Sequence, residues 1–231
     1  MTPKQQASLD SRLIEAANRG DTKAVQTLLA SGANVNAKDA QGYDALCLAA
    51  KGGHTETVRT LLSVGADVHA TNDSALCSAA NRGRTETVKV LLAAGADVHA
   101  ENEYALCWAA YDGRAETVKV LLASGANVHE YDDYALRWAA NNGHAETVQV
   151  LARHIFAPDS WRGKSRVEIE AAANALYDEI RVYSPSNPIT PERLRTAGAI
   201  LLDCALTCWE QVRPPPPRFK ISPIPAQPRP V

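Results

Sequence analysis

The sequence predicts an all-α fold: a helical solenoid of about five repeats with a two-helix C-terminal appendage. Three observations carry this. The pattern L-L-x-x-G-A-[DN]-V begins at Leu28, Leu61, Leu91 and Leu121, at offsets of 33, 30 and 30 residues. The pattern A-L-x-x-A-A begins at Ala45, Ala75, Ala105 and Ala135, always 30 residues apart. Within one unit, Ala105 to Val128, Leu106, Ala109 and Ala110 share one helical face and Val118, Leu121 and Leu122 another. Gly113 and Gly125 suit the ends of those two helices, because the residue after a helix commonly takes positive φ. A pair of such short helices cannot hide its apolar faces alone, so neighbours of the same kind must cover them.

These motifs resemble the ankyrin-repeat family, in a 30/33-residue, short-finger form. The family's T-P-L-H-x-A-A stands here as DALCLAA from Asp44, SALCSAA from Ser74, YALCWAA from Tyr104 and YALRWAA from Tyr134. Its G-H-x-E-x-V follows as GHTETV, GRTETV, GRAETV and GHAETV. The resemblance implies an ankyrin-type solenoid, a concave face lined by the first helix of each pair, and a non-catalytic role in binding proteins.

Composition narrows the function. A net charge of −2, with 22% charged residues, offers no basic footprint for nucleic acid or an anionic membrane. The longest apolar run, near Ala197 to Leu202, is cut by Asp203 and is too short for a bilayer. Neither a nucleic-acid nor a membrane partner is expected, and a monomer in a reducing, cytoplasmic compartment is. Cys47, Cys77 and Cys107 recur with the repeat. Equivalent positions in stacked helices lie about 8–10 Å apart, beyond the roughly 7 Å between Cα atoms that a disulfide tolerates. They read as small buried residues, as do Cys204 and Cys208.

Residues 1–9 read as a disordered leader, with Asp10 or Ser11 capping a first helix that carries Leu13, Ala16 and Ala17. The repeat array spans 10–156. Ten positions separate Val35 from Ala45, enough for a finger that keeps Gly42; the later intervals (Val68 to Ala75, Val98 to Ala105, Val128 to Ala135) are seven. Both helices keep their length, so the fingers are what shortens. Asp44, Asp73 and Asp133 are placed to cap the first helices in place of the family's proline. His69, His99 and His129 follow the valine that ends a unit and are expected to bond loop backbone; one metal ion cannot gather ligands a repeat apart. His54 and His144 match the family's structural histidine.

After Leu151 the stop signal is lost and Pro158 ends the array. In residues 160–213, Ser165 and Glu168 form a capping-box signature for a helix to about Val182. SPSNP (184–188) is a turn, and Thr190-Pro191-Glu192 opens a second helix with a stripe of Leu194, Ala197, Leu201, Ala205, Cys208 and Val212. The tail, 214–231, holds eight of thirteen prolines and reads as disordered and polyproline-like; its P-x-x-P runs lack the basic residue at the spacing SH3 or WW ligands carry.

No phosphate loop, paired Cys-x-x-Cys or Ser–His–Asp motif stands in the sequence, so no enzyme, catalytic residue, cofactor or metal is expected. The positive signal lies where the units differ. The family resemblance puts the two residues after Ala-Ala on the concave side: Lys51-Gly52, Asn81-Arg82, Tyr111-Asp112 and Asn141-Asn142. The residue before Ala-Ala is Leu48, Ser78, Trp108 and Trp138, and the fingers add Glu101, Glu103, Tyr104, Tyr131, Asp132 and Tyr134. The candidate partner-binding set is Glu103, Tyr104, Trp108, Tyr111, Asp112, Tyr131, Asp132, Tyr134, Trp138, Asn141 and Asn142. Rings rimmed by carboxylates are the composition of a binding hot spot for a basic or arginine-bearing protein segment. The competing reading is that Trp108 and Trp138 stack to seal the inner seam.

Overall fold

The computed structural model describes residues 2–130, 133–157, 161–182 and 189–212. Its helices pair as the period predicts: α1 (Pro3–Arg19) with α2 (Thr22–Ala30), α3 (Ala45–Gly52) with α4 (Thr55–Ser63), α5 (Ala70–Asn81) with α6 (Thr85–Ala93), α7 (Ala100–Tyr111) with α8 (Ala115–Ala123), and α9 (Tyr134–Asn142) with α10 (Ala145–Ile155). The odd-numbered helices pack in one row and the even-numbered in a second. Leu13, Leu46, Leu76, Leu106 and Leu136 run through the inner row, fully buried; Leu61, Leu91, Leu121 and Leu151 do so in the outer row. Each such side chain contributes roughly 1.5–3 kcal/mol by leaving water. Helices of eight to twelve residues, too short to hold alone, persist because each ladder is continuous.

The N-terminus departs from expectation. Residues 3–9 are helical, not a leader: Thr2 and Gln5 close a capping box around Pro3, the first helical residue. Asp10 lies inside α1, where its carboxylate accepts from Asn34 N–H (2.8 Å) and Gln6 Nε2 (2.8 Å), tying the helix to the end of its own unit.

The fingers also differ. The first keeps a hairpin, with Asp39 N–H donating to the Tyr43 carbonyl at 2.8 Å, and Asp44 caps α3 through Cys47 N–H at 2.7 Å. The shortened ones collapse into a left-handed turn: Thr71, Asn72 and Asp73 all have φ of 53–56°, Glu101 and Glu103 have 50° and 63°, and Asp133 has 57°. Positive φ strains residues that carry a Cβ. Asp73 and Asp133 therefore do not cap their helices as expected, since that backbone turns the carboxylate away from the helix. Asp73 instead accepts from Asp97 N–H (3.0 Å) at the end of the same unit. The three recurrent histidines meet these acids rather than loop backbone: His69 with Asp73 (3.3 Å), His99 with Glu103 (2.5 Å) and His129 with Asp133 (2.8 Å), through Nδ1.

Unit joints share one device. His54, Arg84, Arg114 and His144 open the second helices, and each lays its side chain across a glycine of the preceding unit: Gly20, Gly53, Gly83 and Gly113. Each reaches a carbonyl there: Asn18 (3.1 Å), Lys51 (3.5 Å), Asn81 (3.4 Å) and Tyr111 (2.9 Å). A Cβ on Gly113 would lie 2.5 Å from His144 Nδ1, and φ there is 69°, so glycine is required twice over. A second ladder of hydroxyls joins the outer helices: Thr22 to Thr57 (2.8 Å), Thr55 to Thr87 (2.9 Å) and Thr85 to Thr117 (2.8 Å). Ala115 interrupts it, and Thr147 Oγ1 is left buried with no hydrogen bond.

Beyond α10, Phe156 is fully buried and packs on Trp161, ring centroids 5.6 Å apart. α11 (Arg166–Val182) opens with the Ser165–Glu168 capping box, the two backbone-to-side-chain bonds being 2.8 and 3.3 Å. α12 (Pro191–Val212) starts from Thr190, whose hydroxyl accepts from Arg193 N–H at 3.3 Å. α12 packs on α9, α10 and α11, and its buried stripe is Ala197, Leu201, Cys204, Ala205 and Cys208. The 184–188 turn and the proline tail lie outside the described residues. Among the described residues no helix is long and apolar enough to cross a membrane.

Candidate partner-binding surface

The inner row of helices brings five rings together. Trp108 and Trp138, one repeat apart on α7 and α9, stand with centroids 5.7 Å apart and planes tilted by 58°. Tyr111 meets both edge-on, at 5.5 Å from Trp108 and 5.0 Å from Trp138. Tyr104 flanks Trp108 at 5.8 Å, and Tyr134 flanks Trp138 at 4.2 Å. Residues 104, 108 and 111 share one face because they are four and three apart on a helix. The contact of Trp108 with Trp138 is the one the seam-sealing alternative requires, and both indoles are half-buried. Tyr104 and Tyr111 remain 44% and 40% exposed. The cluster is therefore an inner seam with an open aromatic rim.

Polar groups surround it. Asp112 Oδ2 accepts from Asn81 Nδ2 at 3.3 Å and lies 3.8 Å from Arg114 Nη2. Exposed Glu101 accepts from Asn72 Nδ2 at 3.1 Å. Asn142 Nδ2 donates to the Tyr111 carbonyl at 3.2 Å, which fixes the backbone carrying that ring. Asn141 is half-buried beside it. Arg137, which takes the recurrent cysteine's place in unit five, is buried with its guanidinium 5.7 Å from the Tyr134 ring.

One expected surface residue turns inward. Glu103 is 3% exposed, its carboxylate folded under the left-handed turn toward His99. Its negative charge raises the pKa of His99, the hydrogen bond being the larger cause. Tyr131 and Asp132 lie outside the described residues. Toward unit two the same face opens into a groove of ≈ 390 Å³ bordered by Lys51, Ser78, Arg82, Glu101, Tyr104 and Trp108. Lys51 Nζ stands 5.9 Å from the Tyr43 ring. Sequence reasoning passed over Tyr43, whose signal is its place one residue before the Asp44 cap. Among the described residues the face thus runs from cations in units two and three to rings with the carboxylates of Glu101 and Asp112 in unit four, and to rings and amides in unit five.

The cysteines are small core residues. Cys47, Cys107, Cys204 and Cys208 are buried and Cys77 is half-buried, all as free thiols. Burial pushes the Cys77 and Cys107 thiols up to about 12, far from the low values of reactive cysteines.

Comparison with curated proteins yields no match. The sequence profile of the family described as ankyrin repeats (three copies) matches residues 13–102 and 98–160, most of the chain. Ankyrin repeats are in general protein–protein interaction modules and in general not catalytic. On the strength of that match and of the stacked helix pairs, this chain belongs to the ankyrin-repeat family.

Proposed function

We propose that the protein is a non-catalytic binding module whose concave face, around units four and five, holds a basic or arginine-bearing segment of a partner protein. The observation that carries this is the ring cluster of Tyr104, Trp108, Tyr111, Tyr134 and Trp138, continuous across two units and open at both Tyr104 and Tyr111. Edge-on packing is worth roughly 0.5–1.5 kcal/mol per pair, so the rings hold one another in place before a partner arrives. Little side-chain entropy is then left to lose on binding. Glu101 and Asp112 at the border favour a cation over the exposed ring faces.

A second reading makes the chain an adaptor whose C-terminal helices recruit an enzyme complex. Arg193, near the start of α12, donates from Nη1 to the Asn141 carbonyl of unit five at 2.9 Å, which supports a cap instead. The two readings separate on deletion of residues 160–231. Loss of recruitment with target binding kept supports the adaptor, and collapse of the stack supports the cap.

The test of the primary reading is Trp108→Ala with Tyr111→Ala. Partner capture is lost in the double variant while the helical circular dichroism stays intact. Capture that survives both changes overturns the assigned surface.

A further inference from the structure

The groove between units two and three carries a charge that its own surroundings leave unanswered. Lys51 and Arg82, both exposed, stand at its border. Thr71 on its wall accepts from Lys38 Nζ at 2.9 Å, which holds a third exposed cation beside the rim. Against them stands Glu101, whose carboxylate already accepts from Asn72 Nδ2 at 3.1 Å. Asp44 and Asp73 lie on the same fingers but are each 4% exposed and turned to backbone N–H groups, of Cys47 and Asp97. Among the described residues neither Lys51 nor Arg82 forms an ion pair. Cations of the outer helices do: Arg59 with Glu56, Lys89 with Glu86 and Lys119 with Glu116. The groove thus keeps a net positive charge in a concavity, where field lines concentrate.

The groups present suit a carboxylate. A guanidinium takes one through two parallel N–H bonds, and Ser78 adds a hydroxyl on the same wall. Lys51 Nζ stands 5.9 Å from the Tyr43 ring, so that ammonium is held in place before an anion arrives. Arg82 and Asp112 occupy equivalent positions of consecutive units, and Lys51 belongs to the unit before. Stacked helices lie about 8–10 Å apart, which puts the groove's cations roughly 10–20 Å from Asp112. An extended segment advances about 3.3 Å per residue, so residues that answer both charges stand about three to six apart.

We propose that the groove of units two and three holds an aspartate or glutamate side chain of the same partner segment whose cation sits at unit four. The protein then reads a peptide of mixed charge, with acid and base at a set spacing. This rests on the binding role assigned above to the same face.

The test pans a phage-displayed library of random peptides on the immobilised full chain. Wild type enriches peptides that pair Asp or Glu with Arg or Lys at one spacing within about three to six residues. A synthetic peptide from such a clone, followed by fluorescence anisotropy, loses affinity roughly tenfold when its acid becomes the amide. Lys51→Glu with Arg82→Glu weakens the original peptide to a similar degree and binds it again once the peptide's acid is changed to Lys. No enrichment overturns the proposal, as does equal binding of the original peptide by wild type and the charge-reversed chain. The library result needs only wild type, so it decides the matter even where the charge-reversed chain does not fold. Enriched peptides with a base and no acid overturn this inference and leave the cation site at unit four standing. Peptides with an acid and no base keep the acidic groove and overturn the cation site instead.

Discussion

Arg193 lies across Gly143 as His144 lies across Gly113. A Cβ on Gly143 would stand 2.9 Å from Arg193 Nε, and the guanidinium donates to the Asn141 carbonyl at 2.9 Å, as the imidazole of His144 meets the Tyr111 carbonyl at 2.9 Å. α12 thus docks where the second helix of a sixth unit would stand, although its sequence carries no repeat motif. It offers the open end of the stack an apolar stripe on the inside and Arg195, Glu192 and Asp203 outside. Atypical ends of this kind let a solenoid stop in water.

If Arg193 seats the cap, Arg193→Ala destabilises the folded chain by about 1–2 kcal/mol, the cost of one charged hydrogen bond and its packing. Arg193→His retains most of the stability, because imidazole performs the same contact at Gly113 and Gly20. Urea denaturation reads both, and amide exchange shows the loss concentrated in α9 and α10.

The hydroxyl ladder broken at Ala115 leaves Thr147 Oγ1 buried and unbonded. Ala115→Thr restores the rung seen between Thr85 and Thr117 and raises stability by about 1 kcal/mol. Thr147→Val removes the orphan instead and is neutral or stabilising. Thr85→Ala, which orphans Thr117 in the same way, costs about 1–3 kcal/mol. Thermal or urea unfolding of the three variants ranks them in that order.

His99 has a raised pKa because the Glu103 carboxylate accepts its Nδ1 hydrogen, with Asp97 adding a smaller pull in the same direction. A raised folded-state pKa means the protonated form is favoured by folding. Its stabilisation is complete below the ordinary value of 6.5 and fades as pH climbs from there through the raised value. Unfolding midpoints therefore fall over that interval, and His99→Gln flattens the fall. A profile unchanged by His99→Gln contradicts the assignment.

Burial pushes Cys77 and Cys107 up to about 12, so neither is a thiolate near pH 8. A thiol reagent added to the native protein at that pH reacts slowly at both positions, and denaturant releases all five cysteines to rapid reaction. Rapid native modification at Cys77 contradicts this.

The repeat period was legible because it is a property of adjacent residues: a leucine pair, a glycine stop and an Ala-Ala face recur every 30 positions, the first leucine-pair interval alone being 33. The helix from Pro3 was missed, residues 1–9 being read as a leader, although the T-P-K-Q run of cap, proline and glutamine carries its signal. What sequence could not carry was partnership across units. Arg84, Arg114 and Arg193 find their carbonyls 33, 33 and 52 residues away. The inward turn of Glu103 follows from a left-handed backbone that no local propensity favours. The aromatic ridge stood in between: the sequence placed Trp108, Tyr111 and Trp138 on one side, and only the stacking of α7 on α9 puts Tyr111 against both indoles.

The central claim, that the inner curve grips a cationic segment of another protein, is tested most directly by photo-crosslinking from single positions. A photoreactive phenylalanine analogue at Tyr111, on the concave face, captures a partner, and the attached partner peptide contains arginine or lysine. The same analogue at Lys119, exposed on α8, captures none. Crosslinks from 119 without crosslinks from 111 contradict the account.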